Sequence, residues 1–278
     1  MESHPKSQLT AVEPVSPAAP YIGGKKNLAA RICARIEKIP HRLYAEPFVG
    51  MGGVFLRRSK RPKSEVINDR SRDVATFFRV VQRHYTPFME MMRLQISARA
   101  EFERLVATDP STLTDLERAA RFLYLQRTGF GGKVAGTACF GVSPDRPARF
   151  DVTKVGPMLD DLHNRLAAVT IECLDFGEFI TRYDREYTLF YLDPPYWGSE
   201  SDYGKELFSR ADFERLRDVL RGLKGSFIMS LNDVPAVREI FAEFDIKHVD
   251  TTYSIARAGT IKAGEVIIST KAPTRKRR

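Results

Sequence analysis

The feature that most constrains this chain is the stretch 189–196, which reads Leu-Phe-Tyr-Leu-Asp-Pro-Pro-Tyr. The apolar, β-prone run up to Leu192 predicts a short buried strand. The two prolines that follow cannot continue a strand ladder, so Asp193 and Tyr196 should project from a stiff turn at the carboxyl end of that strand. Open α/β sheets bind their ligands at this edge.

The groups at this turn suit the binding of an exocyclic amine. The carboxylate of Asp193 and the exposed carbonyl oxygen of Pro194 accept hydrogen bonds from an amine, and the ring of Tyr196 can stack on the attached base. The alternative is an ordinary strand-to-loop turn with a satisfied aspartate.

A second pattern lies near the amino terminus, where a predicted strand from Leu43 runs into the glycine loop 46–53, Glu-Pro-Phe-Val-Gly-Met-Gly-Gly. A helix is expected from about Val54, and the next predicted strand, 65–68, ends at Asp69. This order is the first half of a nucleotide-binding βαβ unit. Asp69 lies near the offset at which an acid accepts ribose hydroxyls, although a turn acid or a helix N-cap would look the same. A redox nucleotide is the rival ligand, but the loop lacks one glycine of that fingerprint.

The strand–helix alternation is interrupted in the middle of the chain. Residues 76–167 carry mostly helical periodicity, with a glycine-rich, basic and strand-poor segment at 128–147. The alternation then resumes, and its predicted elements are strands at 169–174, 189–192, 227–230 and 246–249 and a hairpin that pairs 252–255 with 265–269.

We therefore predict an α/β catalytic domain with a mixed sheet, divided by an inserted and mostly helical subdomain. The catalytic domain covers 21–75 and 168–270, and the insertion covers 76–167. Residues 1–20 are rich in Pro, Ser and Ala and are predicted to be a disordered tail. Residues 271–278 form a basic tail.

The charge of the 278-residue chain is +9, and it is concentrated in two zones. The tail 271–278 has five basic residues and no acid, and 118–149 has six basic residues and one acid. Such zones fit a polyanion, and nucleic acid is the common case, although a solvated tail is the alternative for 271–278. The chain has no signal-peptide core and no apolar stretch near the roughly 20 residues of a membrane span, and its three cysteines lack C-x-x-C spacing. We expect a cytoplasmic protein, and a monomer is favoured.

These motifs together resemble the Dam-type (D12 class) DNA adenine-N6 methyltransferases. The resemblance covers about 21–269, and the matching segments, in chain order, are Tyr-Ile-Gly-Gly-Lys at 21–25, the glycine loop, Asn-Asp-Arg-Ser-Arg-Asp at 68–73, Gln-Arg-Thr-Gly-Phe-Gly-Gly at 126–132, Leu-Asp-Phe at 174–176 and Asp-Pro-Pro-Tyr at 193–196. It implies a Rossmann-like, S-adenosylmethionine-dependent methyltransferase fold, whose insertion recognises the DNA target. Residues 197–198 and 202–204 look more like the phage and prophage members of the class.

The resemblance also implies roles for individual residues. Asp193, Pro194 and Tyr196 would be catalytic. The residues implied to contact S-adenosylmethionine are Tyr21, Lys25, Phe48, Gly50, Asp69, Asp175, Phe176 and Asp193. For Phe48 and Phe176, packing in the core is the alternative role.

Double-stranded DNA is the implied partner of the inserted subdomain. The residues implied to contact it are Arg127, Phe130, Lys133, Arg146 and Arg149; for Phe130 the alternative is a place in the core of the subdomain. Gly131 and Ala135 differ from the Dam pattern at positions where that pattern has Asn and Arg, so the resemblance does not predict the recognition sequence.

The implied reaction is methyl transfer to the N6 amine of a flipped adenine, which requires neither a metal nor a covalent intermediate. Two other readings remain open at the level of the sequence. One is a DNA-binding protein that has kept the fold without catalysis. The other is a related enzyme that methylates RNA adenine, the N4 amine of DNA cytosine or a glutamine side chain.

Overall fold

A computed structural model describes residues 9–25, 27–129, 139–142, 145, 147–200, 207–255 and 259–271, and it describes only the backbone of 252–255 and 259–263. The strands are β1 (Thr10–Ala11), β2 (Leu43–Glu46), β3 (Lys60–Arg61), β4 (Ser64–Asn68), β5 (Val169–Glu172), β6 (Thr188–Leu192), β7 (Ser226–Asn232), β8 (Asp245–Ile255) and β9 (Gly259–Ser269). The α-helices are α1 (Ala29–Ile36), α2 (Arg72–Arg83), α3 (Tyr85–Arg93), α4 (Arg99–Ala107), α5 (Asp115–Thr128), α6 (Val152–Leu166), α7 (Phe176–Tyr183), α8 (Ala211–Arg221) and α9 (Pro235–Ile240).

The main sheet has seven strands in the order β5-β4-β2-β6-β7-β9-β8. The first five of these strands are parallel, and β9 is antiparallel to both β7 and β8. The chain leaves β2 toward β4 and β5 on one side and returns at β6 on the other, so the strand order reverses between β2 and β6. The loops after these two strands therefore flank the switch point at which open α/β sheets bind ligands.

Apolar side chains cover both faces of the sheet, because the side chains of a strand alternate between its two faces. In β6, Leu189 and Tyr191 join the core cluster that includes α1, α2 and α6, whereas Phe190 and Leu192 join the cluster of α7, α8 and α9. The fully buried run predicted for β6 is thus explained by helices on both faces.

The predicted disordered tail is wrong for residues 9–20. β1 pairs with β3, and Val15, Ala18 and Ala19 are buried in the core. The composition of this segment is poor in large apolar residues, but three small ones are enough to dock it on the surrounding elements.

Three other predicted elements differ from the structure. The helix expected from Val54 is a single 3-10 turn, Phe55–Arg57. The predicted strand 246–249 and the first strand of the hairpin are one strand, β8, in which Val249 and not 252–255 lies opposite Glu265. The predicted boundary at 75/76 falls inside α2, whose buried face packs in the same core cluster as the sheet residues Tyr44 and Ile67.

A buried ion-pair cluster ties α6 to the sheet. Glu65 of β4 pairs with Arg58 at 2.8 Å and with Arg165 of α6 at 2.7 Å, and the three side chains are at most 3% exposed. Each guanidinium also lies on a ring, Arg58 on Tyr44 at 3.6 Å and Arg165 on Phe55 at 4.0 Å. The carboxylate is shared by two cations, so the cluster depends on Glu65.

Candidate active site

A cavity of about 520 Å³ opens at the switch point of the sheet. The loops after β2, β4, β5 and β6 meet there, together with the segment that precedes α1. Its walls include all eight residues expected to contact a cofactor, which are Tyr21, Lys25, Phe48, Gly50, Asp69, Asp175, Phe176 and Asp193. Arg127, Met158 and Phe208 also line the cavity.

The glycine loop after β2 is held against Asp69. Gly50 has a φ of +49°, in the region that favours glycine, and its N–H donates to Oδ2 of Asp69 at 2.9 Å. Oδ1 of Asp69 accepts the N–H of Ser71 at 2.8 Å. Burial raises the pKa of Asp69 to about 6, although both of these hydrogen bonds lower it. Asp69 is therefore a turn acid and a wall of the cavity at once.

Tyr21 lies directly on the glycine loop. A Cβ atom at Gly50 would come within 2.9 Å of the Tyr21 ring, so only glycine permits this approach. The close contact fixes the aromatic ring at the edge of the cavity.

Aromatic rings form another wall. The ring centroids of Phe48 and Phe176 are 5.6 Å apart, and that of Phe208 lies 5.8 Å from Phe48. Phe48 is partly exposed to the cavity, whereas Phe176 is only 4% exposed. Phe176 packs in the core and also lines the cavity, and its contact with a cofactor stays a prediction.

Asp175 is occupied by protein partners. Its carboxylate accepts the N–H of Gly177 at the start of α7 and makes a two-pronged pair with Arg215 of α8, at 2.7 and 2.9 Å. These partners hold its pKa below the usual value, against the opposing effect of burial. The guanidinium of Arg215 lies 3.9 Å from the centre of the Phe176 ring, so it braces two cavity residues.

The carboxylate of Asp193 holds an ammonium group. Nζ of Lys25 lies 2.6 Å from Oδ1 of Asp193 and donates to the carbonyl oxygen of Gly23 at 3.0 Å. The same Nζ lies 4.4 Å from the centre of the Tyr196 ring. Burial raises the pKa of Asp193, and the Lys25 charge opposes that rise.

Two hydroxyl groups support Asp193 from β7 and β6. Ser230 donates to its Oδ1 at 3.2 Å, and the hydroxyl of Tyr191 lies 2.8 Å from that of Ser230. The turn that follows is anchored by Asn232, whose amide bonds the backbone N–H and carbonyl of Trp197, both at 3.0 Å. Pro194, the first proline of the turn, is buried.

The structure places Arg127 differently from the expected DNA contact. It is half-buried at the end of α5, its Nη1 donates to the carbonyl oxygen of Ala18 at 2.5 Å, and it lines the cavity beside Met158. The reason is the ordered segment 9–20, which covers this end of α5. Arg149 is exposed and donates to the carbonyl oxygen of Gly129 at 2.9 Å, next to the bridge between Gly129 and Phe140. Phe130, Lys133 and Arg146 lie outside the described residues.

Sequence reasoning missed the residues that support the site from neighbouring elements. Arg215, Phe208, Ser230, Tyr191 and Asn232 were not among the predicted site residues. The available signal for Tyr191 and Ser230 was weak: a hydroxyl in each of two predicted apolar strands. Arg215 and Asp175 are 40 positions apart in the sequence, so no local sequence pattern predicts their contact.

Within the described part of the chain, no cluster of three His, Cys, Asp or Glu side chains could hold a metal ion. None of the helices described combines the length and apolar composition that crossing a membrane requires.

The sheet order, the glycine loop and the Asp-Pro-Pro-Tyr turn on one cavity define the class of a Rossmann-like methyltransferase. The family model described as "D12 class N6 adenine-specific DNA methyltransferase" matches residues 21–255. The chain belongs to this family. It is an enzyme that transfers a methyl group to the N6 amine of adenine in DNA, as the sequence predicted.

Named relatives agree with this assignment. The chain is 27% identical over 256 residues to the type II methyltransferase M1.LlaDCHI of Lactococcus lactis subsp. cremoris, covering 85% of this chain and 88% of the relative. It is 24% identical over 267 residues to a DNA adenine methylase of Haemophilus influenzae, covering 87% of this chain and 88% of that methylase. The type II methyltransferase M.CviBI of Paramecium bursaria Chlorella virus NC1A is 21% identical over 201 residues, covering 71% of this chain and 76% of the viral enzyme.

Proposed function

We propose that the cavity binds S-adenosylmethionine and receives an adenine that has been flipped out of duplex DNA. The observation that carries this proposal is the position of Lys25. Its ammonium group lies between two acceptor oxygens and an aromatic face, which are the contacts that an exocyclic amine on a stacked base requires. The glycine loop borders the same cavity, so cofactor and amine would share one space.

The cavity residues fit this cofactor in shape and in chemistry. Gly50 lets the Tyr21 ring pack closely on the glycine loop, and the rings of Phe48 and Phe176 offer an apolar wall for an adenine ring. Asp69 would accept ribose hydroxyls with the lone pairs that its two backbone partners leave unused. Tyr21, Lys25 and Asp175 complete the set of proposed cofactor contacts, and Arg215 holds Asp175 in place.

Asp193, Pro194 and Tyr196 would orient the target amine. The N6 lone pair of adenine is delocalised into the ring, so the amine is a weak nucleophile. Hydrogen bonds to Oδ of Asp193 and to the carbonyl oxygen of Pro194 favour a more localised lone pair, while the Tyr196 ring fixes the plane of the base. Bound S-adenosylmethionine supplies an electrophilic methyl group on its sulfonium.

The N–C bond would form as the bond between the methyl group and sulfur breaks, with sulfur leaving as a neutral thioether, and the amine would then lose a proton. The pKa of Asp193 lies above its ordinary value, which makes its carboxylate a better acceptor for that proton. Positioning of the two substrates provides much of the remaining acceleration.

Adenine must leave the duplex to reach this cavity, at a cost of a few kcal/mol that stacking on Tyr196 partly recovers. Among the expected DNA contacts, the described position of Arg149 favours such a role, since it is exposed. Phe130, Lys133 and Arg146 remain proposed contacts on sequence grounds alone, and Arg127 is proposed instead to brace the cavity. We also propose a cytoplasmic enzyme that acts as a monomer.

The decisive experiment for this mechanism is the variant Asp193→Ala. It should abolish methyl transfer from tritiated S-adenosylmethionine and leave affinity for duplexes without the target adenine nearly unchanged, because Asp193 contacts chiefly the reacting amine. Asp250→Asn is the control, since Asp250 lies on β8 with a side chain that is 91% exposed. Turnover of Asp193→Ala near that of the wild type would contradict the mechanism.

Methylome sequencing of a host that expresses the protein would identify its target. We expect N6-methyladenine in one sequence context. N4-methylcytosine in its place would contradict the assigned base, and methylation without a context would contradict a site-specific enzyme.

A further inference from the structure

Glu265 is a buried carboxylate close to the proposed amine site. It lies in β9, which is paired with β7 on one side and β8 on the other, and it is opposite Asn232 of β7 and Val249 of β8. Its exposure is 0%, and neither of its oxygens has a hydrogen-bond partner of ordinary geometry within the described residues. The groups that influence its ionisation are the Tyr196 hydroxyl and the charges of Lys25 and Asp193.

A carboxylate in this position is costly for the fold. Buried polar groups are almost always well paired, and an incompletely paired one costs on the order of several kcal/mol when it is charged. This free-energy cost is explained if the carboxylate gains a charged partner in another state of the enzyme. Lys25 is the described cation that faces it, and a lysine side chain is long and flexible enough to relocate its ammonium group.

Binding of the target base should displace the Lys25 ammonium group. Its ammonium occupies Oδ1 of Asp193 and lies on the Tyr196 ring, and its side chain is only 1% exposed. The target amine needs the Asp193 carboxylate, and the target base needs the Tyr196 ring. An ammonium displaced from these contacts inside a closed site requires another anion.

We propose that Glu265 is a positioning residue, which receives the Lys25 ammonium when the target amine replaces it on Asp193. The inference rests on the function proposed above, in which Asp193 binds that amine. Glu265 itself does not touch the substrate. Burial raises the pKa of Glu265 and the Lys25 charge lowers it, so a closer approach of Lys25 favours the ionised carboxylate.

The test measures how strongly the enzyme prefers the amine itself. Two duplexes carry the sequence identified by methylome sequencing, one with adenine and one with purine, which lacks the exocyclic amine, at the target position. Their dissociation constants are measured with S-adenosylhomocysteine present, so that no reaction occurs. The ratio of the two constants isolates capture of the amine, and a general loss of structure would weaken both duplexes alike.

We expect Glu265→Gln to reduce the preference for adenine by roughly tenfold, the size of a coupling between residues in contact. In a Lys25→Met background, which has no ammonium to receive, Glu265→Gln should leave the preference unchanged. If Glu265→Gln does not fold, Glu265→Asp replaces it in the same cycle. Aspartate is one methylene shorter, so its carboxylate lies further from the Lys25 ammonium. Glu265→Asp should therefore reduce the preference for adenine only when Lys25 is present.

Two outcomes would overturn the inference. One contradicts only the role of Glu265, and the other also contradicts the proposed function. Equal losses of preference with Lys25 present and in the Lys25→Met background would show that Glu265 acts independently of Lys25, and the function would stand. A wild-type enzyme without any preference for adenine over purine would contradict amine capture by Asp193, and the role of Glu265 with it.

Discussion

At Gly50, two constraints act on a single residue. Its φ of +49° is unfavourable for any residue with a Cβ, by about 1–2 kcal/mol, and a Cβ would also collide with the Tyr21 ring at 2.9 Å. The Gly50→Ala variant should therefore displace Tyr21 or the loop, and we expect S-adenosylmethionine to bind at least about tenfold more weakly by calorimetry.

The matched control for this variant is Gly222→Ala at the end of α8. Gly222 has a φ of −86°, and its Cβ would meet only the Val219 carbonyl oxygen, at an ordinary 3.7 Å. Cofactor affinity and melting temperature should be unchanged or slightly raised. Equal affinities for the two variants would show that the close contact at Gly50 does not shape the cofactor site.

Asp69 should make cofactor binding depend on pH. Its pKa of about 6 means that the carboxyl group is protonated below pH 6 and becomes a stronger acceptor for ribose hydroxyls as the pH rises through that value. We expect affinity for S-adenosylmethionine to increase between pH 5 and pH 7, over about two units. Calorimetry on Asp69→Asn, whose amide does not titrate, should show a flatter profile; matching profiles would contradict this assignment.

The same pKa has the opposite effect on folding. The pKa of Asp69 is raised in the folded state, so its protonation stabilises the fold. That contribution is complete below the ordinary pKa of 3.8 and is lost as the pH rises through about 6. Asp69 thus lowers stability in the pH range where it is proposed to bind the ribose, which is common at functional sites.

The motifs predicted those residues whose chemistry is visible locally. Asp193 and Asp69 each end an apolar strand, and parallel strands of one sheet bring such residues to the same edge. The position of the Lys25 ammonium was not predictable, because it depends on a contact with Asp193, 168 positions away. The environment of Glu265 was not predictable either, because it depends on Lys25 and Tyr196, 240 and 69 positions away.

At the scale of elements, apolar periodicity predicted the central strands β4 and β6 within a residue at each end. It failed where burial depends on partners distant in sequence. Val54 to Leu56 have the apolar content of a helix, but the chain forms only one 3-10 turn there and is extended again at Arg58. β8 was predicted as two pieces, and its pairing with β9 over 11 residues makes it continuous.

The Glu65 cluster predicts how strongly α6 is tied to the sheet. Glu65→Gln leaves two buried guanidinium groups without their anion, which should cost about 3–5 kcal/mol in the free energy of unfolding. Glu37→Gln is the control, because Glu37 pairs with the half-exposed Lys60 and its loss should cost less than about 1 kcal/mol. Urea unfolding measures both, and similar small costs would mean that the cluster contributes little.

At the scale of the whole molecule, the charge of the chain should act on DNA as a set of phosphate contacts. The net charge is +9, and the tail 271–278 alone carries five basic residues without an acid. Contacts of this kind strengthen binding to every sequence alike, whereas the cavity and the insertion would select the target. The tail should therefore change affinity without changing which adenine is methylated.

Replacing the five basic residues of the tail by glutamine tests this division. We expect weaker binding to any duplex and a slope of log K against log salt that is reduced by up to about 4, since each phosphate contact contributes close to 0.9. Affinity for S-adenosylmethionine and the methylated sequence should both be unchanged, because neither depends on phosphate contacts of the tail. Fluorescence anisotropy at several salt concentrations measures the slope. An unchanged slope would mean that the tail is only a solvated end of the chain, and that the basic zone at 118–149 and the body of the enzyme supply the attraction for DNA.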